Sequence, residues 1–120
     1  MKSDGGVIIP TYNEKENIEN IICKVLSLEH AFDILVIDDG SPDGTADIVK
    51  RLMTEFTGRL FIIERSGKQG LGTAYISGFK WALAHGYEYI FEMDADFSHN
   101  PDDLLKLWDA CANKGADVAI

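Results

Sequence analysis

Two aspartates separated by one residue are the sharpest chemical signal in the sequence. Asp94 and Asp96 follow an apolar run that ends at Met93. On an extended backbone, a spacing of two residues points both side chains the same way. Two hard oxygen ligands on one edge suit Mg²⁺ or Mn²⁺ holding a diphosphate. The alternative interpretation is that both acids are solvated residues of a loop. Further acids follow another apolar run, however, and carboxylates that lie close together repel one another unless a cation pairs them.

Polar residues also follow the first and second apolar runs. Tyr12 and Glu14 come after the first run, and Asp38 and Asp39 come after the second. One aspartate of the pair could start a helix, and the other could accept a hydrogen bond from a base or a ribose hydroxyl. Tyr12 could stack on a nucleobase or pack as a core aromatic. Asp43 is interpreted as a turn or first-turn residue only.

The remaining motifs indicate less. The loop 67–72 is a weak candidate for a phosphate cradle, because Tyr75 stands where the GxGxxG pattern needs glycine. His99 could reach a metal or substrate, or be an ordinary loop residue. No Ser/His/Asp or Cys/His set follows a strand, so nucleophilic catalysis is not predicted.

Short apolar runs and helical patterns alternate along the chain and supply the scaffold for these clusters. Strands are predicted at 7–9, 34–37, 60–63, 89–93 and 116–120. Helices are predicted from Asn13, where Glu16 completes a capping box, over 45–56, from the glycine loop to Ala84, and from Asn100.

Strands this apolar are buried on both faces. The order predicts an α/β fold with an open, mainly parallel sheet and helices on both faces. We expect residues 1–120 to be part of one domain, truncated within its fifth strand.

The position of the polar clusters also predicts the strand order. In such sheets, ligands bind beyond the carboxyl ends of the strands, where the strand order reverses. Because the clusters follow strands one, two and four, we expect the fourth strand beside the first, with the second and third on the other side.

Composition excludes several classes of protein. Of 120 residues, 46% are hydrophobic and 26% charged, which argues against disorder. Twenty acidic and eleven basic residues give a net charge of −9, which argues against nucleic-acid binding and against direct contact with an anionic membrane. The two cysteines lack metal or disulfide spacing. No signal peptide or membrane span is evident, so we expect a soluble, cytoplasmic chain.

Four motifs together resemble those of the family 2 glycosyltransferases of the GT-A fold. They are Ile8-Ile9-Pro10-Thr11-Tyr12-Asn13-Glu14, Asp38-Asp39-Gly40-Ser41-Pro42-Asp43-Gly44-Thr45, Gly70-Leu71-Gly72-Thr73-Ala74-Tyr75 and Met93-Asp94-Ala95-Asp96-Phe97-Ser98-His99. Within that family the chain is most similar to the dolichol-phosphate or polyprenyl-phosphate mannosyltransferases. The resemblance implies transfer of a hexose, usually mannose from GDP-mannose, to a polyprenyl phosphate, with inversion at the sugar carbon.

The resemblance also implies roles for individual residues. The implied donor-binding residues are Pro10, Tyr12, Glu14, Ile37, Asp39, Lys68, Asp94, Ala95 and Asp96. Asp94 and Asp96 would bind Mg²⁺ or Mn²⁺, and Asp96 is the catalytic candidate. Ser98 replaces the glutamine that serves some relatives as a further metal ligand.

The partners are implied in the same way. The acceptor would bind through a C-terminal part that this chain lacks, so the chain alone is expected to be inactive. Contact with a membrane, at its cytoplasmic face, would come only through the acceptor or missing segments. A family member that uses UDP-glucose or another UDP-sugar remains an alternative, and so does a flavodoxin-like phospho-acceptor domain. The first strand ends in Pro-Thr-Tyr-Asn rather than in acids, which counts against the phospho-acceptor domain.

Overall fold

The computed structural model describes residues 4–28, 31–66, 71–93 and 103–112. Within them, strands and helices alternate along the chain. The strands are β1 (Gly5–Thr11), β2 (Phe32–Asp38), β3 (Leu60–Glu64) and β4 (Tyr89–Glu92). The helices are α1 (Ile18–Leu26), α2 (Thr45–Glu55), α3 (Leu71–Ala84) and α4 (Asp103–Ala112).

The described strands form one parallel sheet with the order β3-β2-β1-β4. The predicted strand order is therefore confirmed. The predicted fifth strand, 116–120, lies outside the described residues.

Helices cover both faces of the sheet, as predicted. Val7 and Ile9 of β1 pack in one apolar cluster with buried residues of α1, α2 and α4. Ile8 points to the opposite face, where it packs with Leu35 and with Ala74 of α3. The alternation of side chains along β1 thus divides the core into two layers. In the described parts of the chain, no helix is long and apolar enough to cross a membrane.

Helix α3 lies close to the sheet because its inner face carries small side chains. Ala74 and Ala82 are each 1% exposed. A Cβ atom placed on Gly78 would lie 2.6 Å from Cγ2 of Ile8. The small residues spaced every four positions are therefore required by the contact between helix and strand.

Strand β1 extends further than its apolar run indicates. It passes through Pro10 to Thr11, whereas the sequence predicts that it stops at the proline. The carbonyl of Ile8 accepts a hydrogen bond from Met93, so alternate residues of β1 face β4. The backbone nitrogen of Pro10 faces the same side as that of Ile8. The pairing of β1 with β4 ends at Ile8 and Glu92, so the ladder does not require an N–H from Pro10.

The prediction that α1 begins at Asn13 is wrong. The helix begins at Ile18 with Asn17 at its N-cap position. Asn13 instead has a φ of 57°, a left-handed conformation that asparagine tolerates better than most residues. The segment between β1 and α1 is therefore a loop at the carboxyl edge of the sheet.

Candidate functional site

The carboxyl ends of β1, β2 and β3 lie level with one another. Thr11 is paired with Asp38, and Asp38 with Glu64. Parallel strands bring all these ends to one edge of the sheet, which we call the carboxyl edge. The polar residues that follow β1 and β2 are thereby collected into one region, as the sequence predicts, whereas those that follow β4 lie outside the described residues.

Asp38 organises the turn that leaves β2. Its Oδ1 accepts hydrogen bonds from the hydroxyls of Thr11 at 2.7 Å and Ser41 at 2.6 Å. Its Oδ2 accepts from the backbone N–H of Ser41 at 3.0 Å. Asp38 is 1% exposed, so these bonds replace the water that a carboxylate otherwise requires. This aspartate of the pair serves the local structure.

Asp39 forms a bidentate ion pair with Arg65. Arg65 Nε lies 2.6 Å from Oδ1, and its second guanidinium nitrogen lies 2.9 Å from Oδ2. Both side chains are 9% exposed. Arg65 also donates to the hydroxyl of Thr73 on α3 at 3.0 Å. The carboxylate is thus held in one orientation at the edge where a ligand is expected.

Arg65 is a site residue that sequence reasoning missed. It directly follows β3, so the rule that drew attention to strands one, two and four would also have found it. The ends of the first and second strands carry acids and an aromatic residue, whereas the end of the third strand supplies a basic partner for one of those acids.

Side chains of the β2–α2 loop bind consecutive backbone N–H groups of the β1–α1 loop. The bonds run from Asn13 N to Ser41 Oγ at 2.9 Å, from Glu14 N to Thr45 Oγ1 at 3.0 Å and from Lys15 N to Asp43 Oδ2 at 3.1 Å. We call Ser41, Asp43 and Thr45 the loop clamp.

Asp43 therefore does more than the predicted turn residue. Its Oδ1 accepts from the backbone N–H of Thr45 at 3.0 Å and from its hydroxyl at 2.6 Å. Partial desolvation by itself raises the pKa of the Asp43 carboxyl. The hydrogen bonds from Thr45 and Lys15 outweigh it and lower that pKa below its usual value. The carboxylate is the form that the loop clamp requires.

The other predicted donor-binding residues that the structure describes differ in exposure. Tyr12 is 38% exposed, which disagrees with the core aromatic interpretation. Pro10 and Glu14 are half-buried at the carboxyl edge. Ile37 is fully buried, and its side chain packs with Ile8 and Ala74 beneath α3. Any contact of Ile37 with a ligand would have to come from its backbone.

The predicted metal-binding motif lies outside the described residues, as do Lys68 and His99. The chain reaches Asp94, Ala95 and Asp96 directly after Met93, whose N–H donates to the carbonyl of Ile8 at 3.0 Å. Among the residues that the structure describes, no group of three His, Cys, Asp or Glu side chains could hold a metal ion.

The chain is similar to several enzymes that transfer mannose. It is 48% identical over 114 residues to the polyprenol monophosphomannose synthase of Mycolicibacterium smegmatis, covering 95% of this chain and 43% of that protein. It is 42% identical over 113 residues to the undecaprenyl-phosphate mannosyltransferase of Micrococcus luteus, covering 94% and 45%. The chain thus spans less than half the length of these curated relatives.

Two solved structures resemble the fold at 28% identity. One is the mannosyltransferase PcManGT from Pyrobaculum calidifontis in complex with GDP-Man and Mn²⁺, with a TM-score of 0.67 over 88% of this chain and 31% of that one. The other is TarS from S. aureus in complex with UDP-GlcNAc, with a TM-score of 0.72 over 93% and 30%.

The family model for glycosyl transferase family 2 matches residues 6–120. The match includes all of β1 except Gly5, all of β2 to β4, and the four motifs identified in the sequence. It also excludes the phospho-acceptor alternative. The chain belongs to glycosyl transferase family 2.

Proposed function

We propose that this chain forms the nucleotide-sugar-binding part of a metal-dependent, inverting glycosyltransferase. The donor is GDP-mannose, and the acceptor is a polyprenyl phosphate that binds through parts of the protein beyond this chain. The whole protein then acts at the cytoplasmic face of a membrane. Residues 1–120 by themselves are expected to bind nucleotide without transferring sugar.

The observation that supports this function most directly is the carboxyl edge of the sheet. An exposed tyrosine, Tyr12, lies one residue beyond β1, and the oriented carboxylate of Asp39 lies one residue beyond β2. A nucleoside needs an aromatic surface for its base and acceptors for its N–H and O–H groups. Mannose and a polyprenyl phosphate are chosen as sugar and acceptor because the chain is similar to a polyprenol monophosphomannose synthase and to an undecaprenyl-phosphate mannosyltransferase.

Asp94 and Asp96 fit a divalent cation by their chemistry and by their place after β4. Carboxylate oxygens are the ligands that Mg²⁺ and Mn²⁺ prefer. When bound, the cation supplies positive charge that neutralises the nucleoside diphosphate as it leaves. The solved relative with GDP-Man and Mn²⁺ supports this assignment.

The residues of this chain bind and orient the donor. Tyr12 would stack on the base, and Asp39, held by Arg65, would accept a hydrogen bond from the nucleoside. An acceptor phosphate is already an anion near neutral pH, so positioning matters more than a strong general base. Inversion follows from attack on the sugar carbon from the face opposite the leaving diphosphate.

A UDP-sugar donor is the second candidate. The structural likeness to TarS, which was solved in complex with UDP-GlcNAc, supports it, because the two chains share their fold over 93% of this chain. The two candidates differ in the base, which makes GDP and UDP the discriminating ligands.

The first prediction tests the nucleotide and the metal together. We expect GDP to bind more tightly than UDP, and Mn²⁺ to tighten binding because it separates the diphosphate from like charges. Asp96→Ala should abolish the dependence on Mn²⁺. Isothermal titration with each nucleotide, with and without Mn²⁺, measures these effects.

Asp47→Ala is the matched control for that titration. Asp47 is an exposed aspartate in the first turn of α2, and its removal should leave nucleotide binding unchanged. Binding of neither nucleotide would contradict the proposed function, and tighter binding of UDP would favour the second candidate. Equal losses in the two variants would show that the metal site is misplaced.

A further inference from the structure

The loop that carries Tyr12 and Glu14 is not shaped by a regular element. β1 ends at Thr11 and α1 begins only at Ile18. Asn13, between the two proposed donor-binding residues, has a left-handed backbone that is costly for a residue other than glycine. Asparagine tolerates this conformation better than most residues, and contacts from outside the loop help to select it.

The contacts that select it come from the loop clamp. Three successive N–H groups of the loop each donate to a different clamp side chain. The two clamp hydroxyls donate their own protons to carboxylates, from Ser41 to Asp38 and from Thr45 to Asp43. Each hydroxyl therefore presents a lone pair to the loop, and its orientation is fixed.

We propose that the loop clamp positions the donor-binding loop, so that Ser41, Asp43 and Thr45 act on nucleotide binding through Tyr12 and Glu14. The inference rests on the proposed function for its ligand. It assigns the clamp residues a role as positioning residues, with no contact of their own to the nucleotide.

Position 43 requires a carboxylate because both of its side-chain oxygens accept hydrogen bonds. Oδ1 accepts two hydrogen bonds from Thr45, and Oδ2 accepts one from the N–H of Lys15. An asparagine has one acceptor oxygen and one NH₂ donor. Asp43→Asn therefore keeps the bonds to Thr45 and places a donor against the N–H of Lys15. The variant releases the loop while the start of α2 is retained.

The second prediction follows from this variant. In the natural protein that contains this chain, Asp43→Asn should weaken binding of GDP with Mn²⁺ by about threefold to tenfold. Asp47→Asn removes the same charge four residues further along, in the first turn of α2, and should leave binding unchanged. Isothermal titration compares the two variants, and urea unfolding shows whether both remain folded.

A double-mutant cycle with Tyr12→Ala separates positioning from a general loss of structure. If the clamp acts through Tyr12, Asp43→Asn should lose most of its effect on binding once the ring is absent. A merely structural role would give additive losses. Amide hydrogen exchange should also be faster at residues 13–15 in Asp43→Asn, with or without nucleotide.

Position 45 provides an independent variant. Thr45→Val removes the hydroxyl that accepts from Glu14, and Thr45→Ser retains it. We expect weaker nucleotide binding in Thr45→Val and recovery in Thr45→Ser.

Two failures are distinguishable. Failure of the unchanged protein to bind either nucleotide overturns the proposed function and this role with it. Normal binding in both Asp43→Asn and Thr45→Val overturns the positioning role alone. Losses that simply add to that of Tyr12→Ala also overturn the positioning role.

Discussion

At the scale of single residues, the buried pair of Arg65 and Asp39 is the contact with the largest consequence. Both side chains are almost entirely removed from water, and the guanidinium meets both carboxylate oxygens. Removal of one partner from such a pair leaves an uncompensated charge in a medium of low dielectric. Arg65 therefore has a role in stability as well as in orienting Asp39.

The third prediction concerns Arg65. Arg65→Met keeps the apolar length of the side chain but removes the guanidinium charge from the buried Asp39 carboxylate, so the free energy of unfolding should fall by about 3 kcal/mol. Arg65→Lys keeps the charge without the bidentate geometry and should lose less. Urea unfolding of both variants measures the difference. Equal stabilities would contradict the assigned pairing.

Residue spacing alone could not predict these pairings. The sequence located Asp38 and Asp39 at a strand end but left open which of them faces a ligand. The answer depends on Arg65, which lies 26 positions away in the chain from Asp39 and becomes its neighbour only when β3 pairs with β2. The roles of Ser41 and Thr45 were missed for the same reason, because their partners lie in a separate loop.

At the scale of elements, hydrophobic patterning predicted more of the structure than residue spacing did at the scale of single contacts. The apolar runs located the described strands, and the polar clusters at three strand ends gave the correct order. The sequence pattern gave the wrong start for α1, because the residues before this helix are compatible with more than one hydrogen-bonded turn. Asn13 and Glu16 fit a capping box, yet the turns before α1 keep a different hydrogen-bonding pattern, in which Glu14 accepts from Asn17.

The fourth prediction concerns the contact of α3 with β1. Gly78→Ala adds a methyl group within 3 Å of three Ile8 side-chain atoms, at a buried position of α3. Overpacking costs about 1–3 kcal/mol, and alanine returns about 1 kcal/mol of helix propensity. We therefore expect a net loss of about 1 kcal/mol in the free energy of unfolding.

Ser77→Ala is the matched control for that substitution. It introduces alanine at the neighbouring, half-buried position of α3 without adding volume, and should not lower the stability. Thermal and urea unfolding compare the two variants. A Gly78→Ala protein more stable than the Ser77→Ala protein would show that α3 can move away from the sheet without cost.

At the scale of the whole molecule, the two edges of the sheet have different tasks. The carboxyl edge carries the loop clamp and the proposed ligand site. At the opposite edge, Tyr87 donates to Asp33 at 2.7 Å, and Arg59 lies 4.0 Å from the same carboxylate. The Tyr87 ring packs beside Gly6 and Trp81. This second set joins β1, β2 and α3 and has no predicted contact with a ligand.

The last prediction tests this division of tasks through Tyr87→Phe. The substitution keeps the ring and removes one hydrogen bond to a buried carboxylate, so the free energy of unfolding should fall by about 1.5–3 kcal/mol. Nucleotide binding at the opposite edge should not change. Burial and the bond to Asp33 raise the pKa of the Tyr87 hydroxyl above its usual value. This share of stability is therefore complete below about pH 10 and declines as the pH rises further, because the unfolded chain ionises first.

The stability difference between the unchanged protein and Tyr87→Phe should accordingly stay constant up to about pH 10 and shrink as the pH rises further. The other tyrosines are common to both proteins and cancel in the comparison. Urea unfolding at several pH values measures the stability difference, and nucleotide titration near neutral pH measures binding at the carboxyl edge. A difference that stays constant with pH would contradict the role of the Tyr87 hydroxyl. A loss of nucleotide affinity in Tyr87→Phe would show that the two edges of the sheet are coupled.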